Sequence, residues 1–176
     1  MDLRTAKVFI TGGSSGIGLE TARMLRQAGA AVAICGRRKD ELEKAAKETD
    51  TIAILCDVSK EDEVQRAVAE AIDKLGGLNV VVNNAGWGKF AKLVDLDLAE
   101  FRAVLDTNVV GAMLVAREAA RYFAKQDYGN IVNVSSTVVA KGAAGGSSYV
   151  ASKGALKGLN DSWRAELRKH NVRVML

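Results

Sequence analysis

Tyr149-Val150-Ala151-Ser152-Lys153 sets a phenol and an ammonium four residues apart, which on a helix puts both side chains on one face within reach of each other. A free phenol releases its proton only near pH ~10, and a neighbouring positive charge favours the phenolate. A pair of this kind can exchange a proton with a substrate oxygen. Tyr-x-x-x-Lys alone describes many ordinary surface pairs, so its surroundings decide its meaning. Ser135 and Ser136 close an apolar run upstream, Ser136 standing 13 residues before Tyr149, and Asn108 stands 28 residues before Ser136. Side chains alternate along a strand, so only one of the two serines can face such a site.

A second chemistry-bearing segment lies near the amino terminus. Thr11-Gly12-Gly13-Ser14-Ser15-Gly16-Ile17-Gly18 follows an apolar run and opens a helical one, the context in which a glycine-rich turn binds a dinucleotide. Glycine permits positive φ and close approach of the backbone to a pyrophosphate, while the helix start supplies N–H donors and a positive dipole. After the second apolar run an acidic residue would accept from ribose hydroxyls and repel a 2′-phosphate. Gly36-Arg37-Arg38 stands there instead. A guanidinium pairs with phosphate in a forked, charge-assisted way, so Arg37, helped by Arg38, favours NADP(H) over NAD(H); the alternative is that both merely begin an exposed helix.

The elements that must position these groups are legible from hydrophobic period. Strand-like runs fall at Lys7–Thr11, Ala31–Cys35, Thr51–Cys56, Leu78–Asn83, Asn130–Ser135 and Val172–Leu176. Helix-period segments fall at Ile17–Gln27, Glu41–Glu48, Glu61–Leu75, Ala99–Lys125 and Ser152–Lys169, with Ser59-x-x-Asp62 as a capping box for the third. This alternation predicts one α/β domain over residues 1–176: a doubly wound parallel sheet between two helical layers, a Rossmann fold ending after its sixth strand.

Composition narrows the function classes. Cys35 and Cys56 form no CxxC and read as buried reduced thiols, and His170 is the sole histidine, so no metal centre and no Ser/His/Asp mechanism is expected. The formal charge of +4 is spread along helices among acidic residues, which argues against nucleic acid as a partner. No apolar run reaches the ~20 residues of a membrane span and no signal-peptide core follows Met1, so a soluble cytoplasmic protein is expected.

Taken with their spacing, these motifs resemble the short-chain dehydrogenase/reductase family, in an NADP-preferring form akin to 3-oxoacyl-acyl-carrier-protein reductases. The resemblance runs from Lys7 onward and rests on Gly12-x-x-x-Gly16-x-Gly18, on Asn83-Asn84-Ala85-Gly86 and on the Asn108, Ser136, Tyr149, Lys153 set. It implies an EC 1.1.1.- oxidoreductase moving hydride between NADP(H) and a carbonyl or alcohol, Tyr149 acting as general acid or base. Ser136 would hydrogen-bond the substrate oxygen, and Lys153 would support Tyr149 and hold the nicotinamide ribose. Asn108 would shape a helix irregularity that holds a water. The cofactor would contact Gly12, Ser14, Ser15, Gly16, Ile17, Gly18, Arg37, Arg38, Asp57, Val58, Asn84, Ala85, Gly86, Tyr149 and Lys153, with Asp57 and Val58 on the adenine.

Gly142–Gly146, Trp87 and Phe90 are candidates for the substrate pocket wall. The two longest helical segments resemble the family's dimer-forming helices and imply a homodimer or homotetramer. Relatives continue past a sixth strand with a Pro-Gly motif and a substrate lid, and no proline occurs among the 176 residues, so the expectation is either that the natural protein is longer or that this chain is cut short there. A nucleotide-binding sensor or scaffold with weak catalysis is the alternative.

Overall fold

The computed structural model describes residues 2–176. Six parallel strands, β1 (Lys7–Thr11), β2 (Ala31–Gly36), β3 (Ile52–Leu55), β4 (Val80–Asn83), β5 (Gly129–Asn133) and β6 (Val172–Met175), lie in the order β3-β2-β1-β4-β5-β6. Strand order reverses between β1 and β4, and ligands of doubly wound sheets bind beyond the carboxyl ends of the strands at such a reversal. The expected fold is therefore the observed one.

Among the described residues seven α-helices connect the strands: α1 (Gly16–Gln27), α2 (Lys39–Thr49), α3 (Glu61–Leu75), α4 (Leu98–Leu105), α5 (Ala112–Gln126), α6 (Val138–Lys141) and α7 (Ser147–Leu167). Alternation along β1 explains the layering. Val8 and Ile10 pack on one face with Ala22 of α1 and Leu42 of α2. Phe9 points to the other, into a larger cluster built with α3 and α5. Residues of both signs of alternation are buried because both faces are covered.

With no proline to stop them, helices end in left-handed caps. Asp50, Gly76 and Asp127 adopt positive φ after α2, α3 and α5, and each donates its N–H to a carbonyl in the preceding turn. Several expected boundaries move. The run expected as one helix over Ala99–Lys125 is α4 and α5 joined by a π turn at Asp106–Gly111. α7 begins at Ser147, five residues before the expected Ser152, because Gly145 and Gly146 supply the turn that lets it start. The Ser59–Asp62 capping box does not form. Ser59 instead donates its N–H and hydroxyl to Asp57 Oδ1 at 3.0 and 2.8 Å, and Glu63 reaches back to the Asp57 N–H at 2.8 Å.

Candidate active site

The carboxyl ends of β1, β2 and β4 and the segments following β3 and β5 surround a cavity of about 440 Å³, within the ~300–1,000 Å³ of ordinary ligand pockets. The glycine turn forms its floor. Gly12 and Gly16 have φ of +66° and +55°, conformations that L side chains rarely adopt. A Cβ at Gly18 would stand 2.3 Å from the Gly12 carbonyl oxygen, so the turn can fold onto α1 only without one. Ser15 precedes α1 and makes no side-chain cap bond, which leaves the helix's leading N–H groups to whatever enters the cavity.

The turn is held down by the residue that precedes its first glycine. Thr11, 2% exposed, accepts at Oγ1 from the backbone N–H groups of Asn84 and Ala85 at 3.1 and 3.0 Å. Asn84 in return donates its amide to the carbonyls of Thr11 and Gly12 at 3.0 and 3.1 Å. Asn83 does similar work one strand further, donating to Asn133 Oδ1 at 2.9 Å. Thr11 ends β1, and its hydroxyl meets Asn84 and Ala85 because the sheet order sets β4 beside β1.

Arg37, Arg38, Asp57 and Val58 line the far end of the cavity. Arg38 is paired with Glu41 at 2.5 Å, whereas Arg37 makes no ion pair among the described residues. Cys35 and Cys56 are both buried and free, and they also border the cavity. The hydrogen bond with the Cys56 thiol, and then burial, push the Cys35 thiol well above the ordinary thiol range, the behaviour of an inert core cysteine.

Tyr149 and Lys153 stand at the opposite end, on the first turns of α7, with the ammonium 5.7 Å from the centre of the phenol ring. Lys153 is 5% exposed and donates to the Val134 carbonyl at 2.6 Å. Burial lowers its pKa, because no carboxylate compensates the charge. Asn108, 2% exposed, sits in the π turn. Its Oδ1 accepts from the Trp87 N–H at 3.0 Å, and its Nδ2 donates to the Trp87 carbonyl and to Ser152 Oγ at 2.8 and 3.0 Å. Ser152 Oγ donates to the Tyr149 carbonyl at 2.7 Å. The whole Asn108 side chain is thereby spent on tying the segment after β4 to the start of α7.

Of the residues expected to contact a dinucleotide, all fifteen except Gly18 border this cavity, and Gly18 lies directly behind the glycine turn. Trp87 and Thr107 join them, the indole N–H donating to Thr107 Oγ1 at 3.2 Å. Three expectations change. β5 ends at Asn133, so strand alternation does not choose between the serines. Ser135 borders the cavity, while Ser136 is half-buried beside it, its Oγ accepting from the Val138 N–H at 3.4 Å. Phe90 is exposed instead of walling the cavity, and the Gly142–Gly146 stretch docks on the segment after β4, where the Ala91 N–H donates to the Gly145 carbonyl at 2.8 Å.

The cradle fits an NAD(P)-type dinucleotide: side chains are excluded at Gly12 and Gly18, unpaired N–H groups head α1, and a free guanidinium lies one strand away.

A model of short chain dehydrogenases matches residues 6–176. The chain is 40% identical over 167 residues to a bovine 3-oxoacyl-[acyl-carrier-protein] reductase, covering 94% of this chain and 70% of the relative. It is 36% identical over 172 residues to (+)-borneol dehydrogenase 2 of Salvia officinalis, covering 94% and 61%. Among solved structures, an NAD+-bound xylitol dehydrogenase superposes with a TM-score of 0.89 at 35% identity, covering 95% of this chain and 66% of that one. A short-chain type dehydrogenase/reductase from Mycobacterium marinum superposes at 0.93 with 34% identity, covering 98% and 73%.

Proposed function

The chain belongs to the short-chain dehydrogenase family, and from that premise we propose that it transfers hydride between NADP(H) and a carbonyl or secondary alcohol, Tyr149 serving as general acid in reduction and general base in oxidation. The observation that carries this reading is that Tyr149 and Lys153 wall the same cavity as the glycine turn and Arg37. The nicotinamide supplies the hydride when bound. Everything else falls to this chain.

The N–H groups of Ser14, Ser15, Gly16 and Ile17 would hold the pyrophosphate, with the bare Gly12 and Gly18 leaving it room. Arg37, assisted by Arg38, takes the 2′-phosphate, and its lack of an ion pair leaves its fork available. Asp57 would accept from the adenine amino group and Val58 would pack on the ring. Asn84, Ala85 and Gly86 would line the nicotinamide ribose, whose hydroxyls Lys153 would hold. At the reacting end the Ser136 hydroxyl donates to the substrate oxygen and Tyr149 gives up or takes the proton at Oη. Asn108 positions the loop carrying Trp87, and the π turn around it offers main-chain oxygen for the water that links Lys153 to solvent.

The substrate is a small carbonyl compound or its alcohol. 3-Oxoacyl thioesters come first because the bovine relative is named for them, and terpenoid alcohols next because of the Salvia dehydrogenase. The protein works in the cytoplasm as one domain and as a homodimer or homotetramer, α5 and α7 meeting their copies through the groove between Ala116, Ala120, Trp163 and Leu167.

Fluorescence titration with NADPH and NADH, followed by a carbonyl panel monitored by NADPH oxidation, tests this reading. Tighter NADPH binding with turnover of at least one carbonyl is expected. Tighter NADH binding would remove the role given to Arg37, and binding without turnover of any panel member would favour a nucleotide sensor.

A further inference from the structure

Gly88 lies in the segment that leaves β4 and crosses the first turn of α7. A Cβ built on it would stand 2.9 Å from Tyr149 Cδ2 and 3.0 Å from Tyr149 Cβ and Cγ. These atoms are the root of the ring, fixed by α7, so no rotation of a side-chain tip can relieve the overlap. Gly88 is absent from the positive-φ residues, so the backbone conformation itself would accept alanine. Space is what requires glycine there.

The backbone cannot retreat either. Asn108 grips both peptide groups of Trp87 just before it. Beyond it, Ser148 Oγ donates to the Lys89 carbonyl at 3.4 Å and the Ala91 N–H donates to the Gly145 carbonyl at 2.8 Å. A side chain at position 88 must therefore move the phenol. We propose that Gly88 is a positioning residue for proton transfer: its bare Cα is the seat that sets the Tyr149 ring against Lys153. The proposal rests on the reading of Tyr149 as the proton-transfer group.

Gly88→Ala in the full chain tests it, with kcat, KM, NADPH affinity, thermal midpoint and the pH dependence of kcat/KM measured beside wild type. A loss of about 10- to 100-fold in kcat is expected, the scale for a displacement approaching 1 Å at a reacting group. NADPH affinity should stay within about twofold, and the pH profile should move as the phenol–ammonium distance changes. Uniform labelling with 3-fluorotyrosine gives a readout without turnover, the Tyr149 resonance being assigned by its absence in Tyr149→Phe. That resonance should shift in Gly88→Ala, while those of Tyr122 and Tyr128 stay.

An unchanged kcat and pH profile would overturn the proposal. So would an unmoved Tyr149 resonance, or a loss explained wholly by a lower thermal midpoint or a failure to fold. Wild type that oxidises NADPH with no dependence on Tyr149 would instead overturn the underlying reading, and the fluorine shift would still report whether Gly88 seats the ring.

Discussion

The dinucleotide cradle and the segment that follows Gly86 are built differently. At the dinucleotide end, Gly12, Thr11, Asn84 and Ala85 sit at or just past strand ends and bind one another through four hydrogen bonds of 3.0–3.1 Å. Outside the cavity, beyond the Tyr149 side, the segment after Gly86 leaves the sheet, and Phe90, Leu93, Val94 and Leu98 are 62, 78, 87 and 60% exposed. The first end presents backbone and small residues whose geometry is over-determined. The second presents apolar side chains that touch little. A cofactor common to many enzymes suits the first construction, and a variable substrate suits the second, since loops carried on a rigid scaffold change with least damage to the fold.

Five substitutions break or sharpen that contrast. Ser136→Ala should lower kcat about 10²- to 10³-fold, the scale for removing one donor to a developing oxyanion, while leaving NADPH affinity intact. Ser135→Ala should cost far less, and the reverse order would transfer the role to the serine that borders the cavity. At the rigid end, Gly18→Ala forces a methyl against the Gly12 carbonyl. Overpacking there should cost about 1–3 kcal/mol of cofactor binding, read as a ~5- to 150-fold rise in the NADPH dissociation constant.

Arg37→Ala removes one charge-assisted contact, so NADPH binding should weaken about 10- to 100-fold with NADH binding nearly unchanged. Equal losses for both cofactors would mean that Arg37 reads no phosphate. The smallest effect belongs to the exposed end. Val94→Ser should change unfolding free energy by no more than ~0.5 kcal/mol in chemical denaturation, yet raise KM for apolar carbonyls. A large destabilisation would show that this segment is structural.

The pH dependence of stability follows from Lys153. Its pKa is lowered by burial, so the folded state holds its proton less tightly than the unfolded state does. The unfolded chain then binds more protons between the depressed pKa and the free lysine value, and stability contributed by this group rises as pH climbs through that window. Below the window the full desolvation cost is present. Against Lys153→Met, wild type should gain relative stability on going from neutral to alkaline pH.

Hydrophobic period and the glycine turn made the sheet legible, because each strand of a parallel sheet buried on both faces reads as a short apolar run. Boundaries were legible only where a local signal ended an element. Ser147–Ser152 holds three serines with Tyr149 and Val150, all middling helix formers, so its place in α7 follows from docking on the segment after β4. The π turn over Asp106–Gly111 has no periodic signature at all. Its cause is tertiary: Gly111 packs where a Cβ would meet Val58, and Asn108 is drawn in toward Trp87. The serine pair was illegible for a related reason, since β5 ends before either serine and alternation no longer orients them.

The most direct test of the account is NADPH oxidation by wild type and Tyr149→Phe over one carbonyl panel, at matched cofactor saturation. Tyr149→Phe should bind NADPH within about twofold of wild type and lose about 10²- to 10⁴-fold in kcat on every substrate turned over, the scale for removing a positioned general acid. Turnover by Tyr149→Phe equal to wild type on any of those substrates would contradict it.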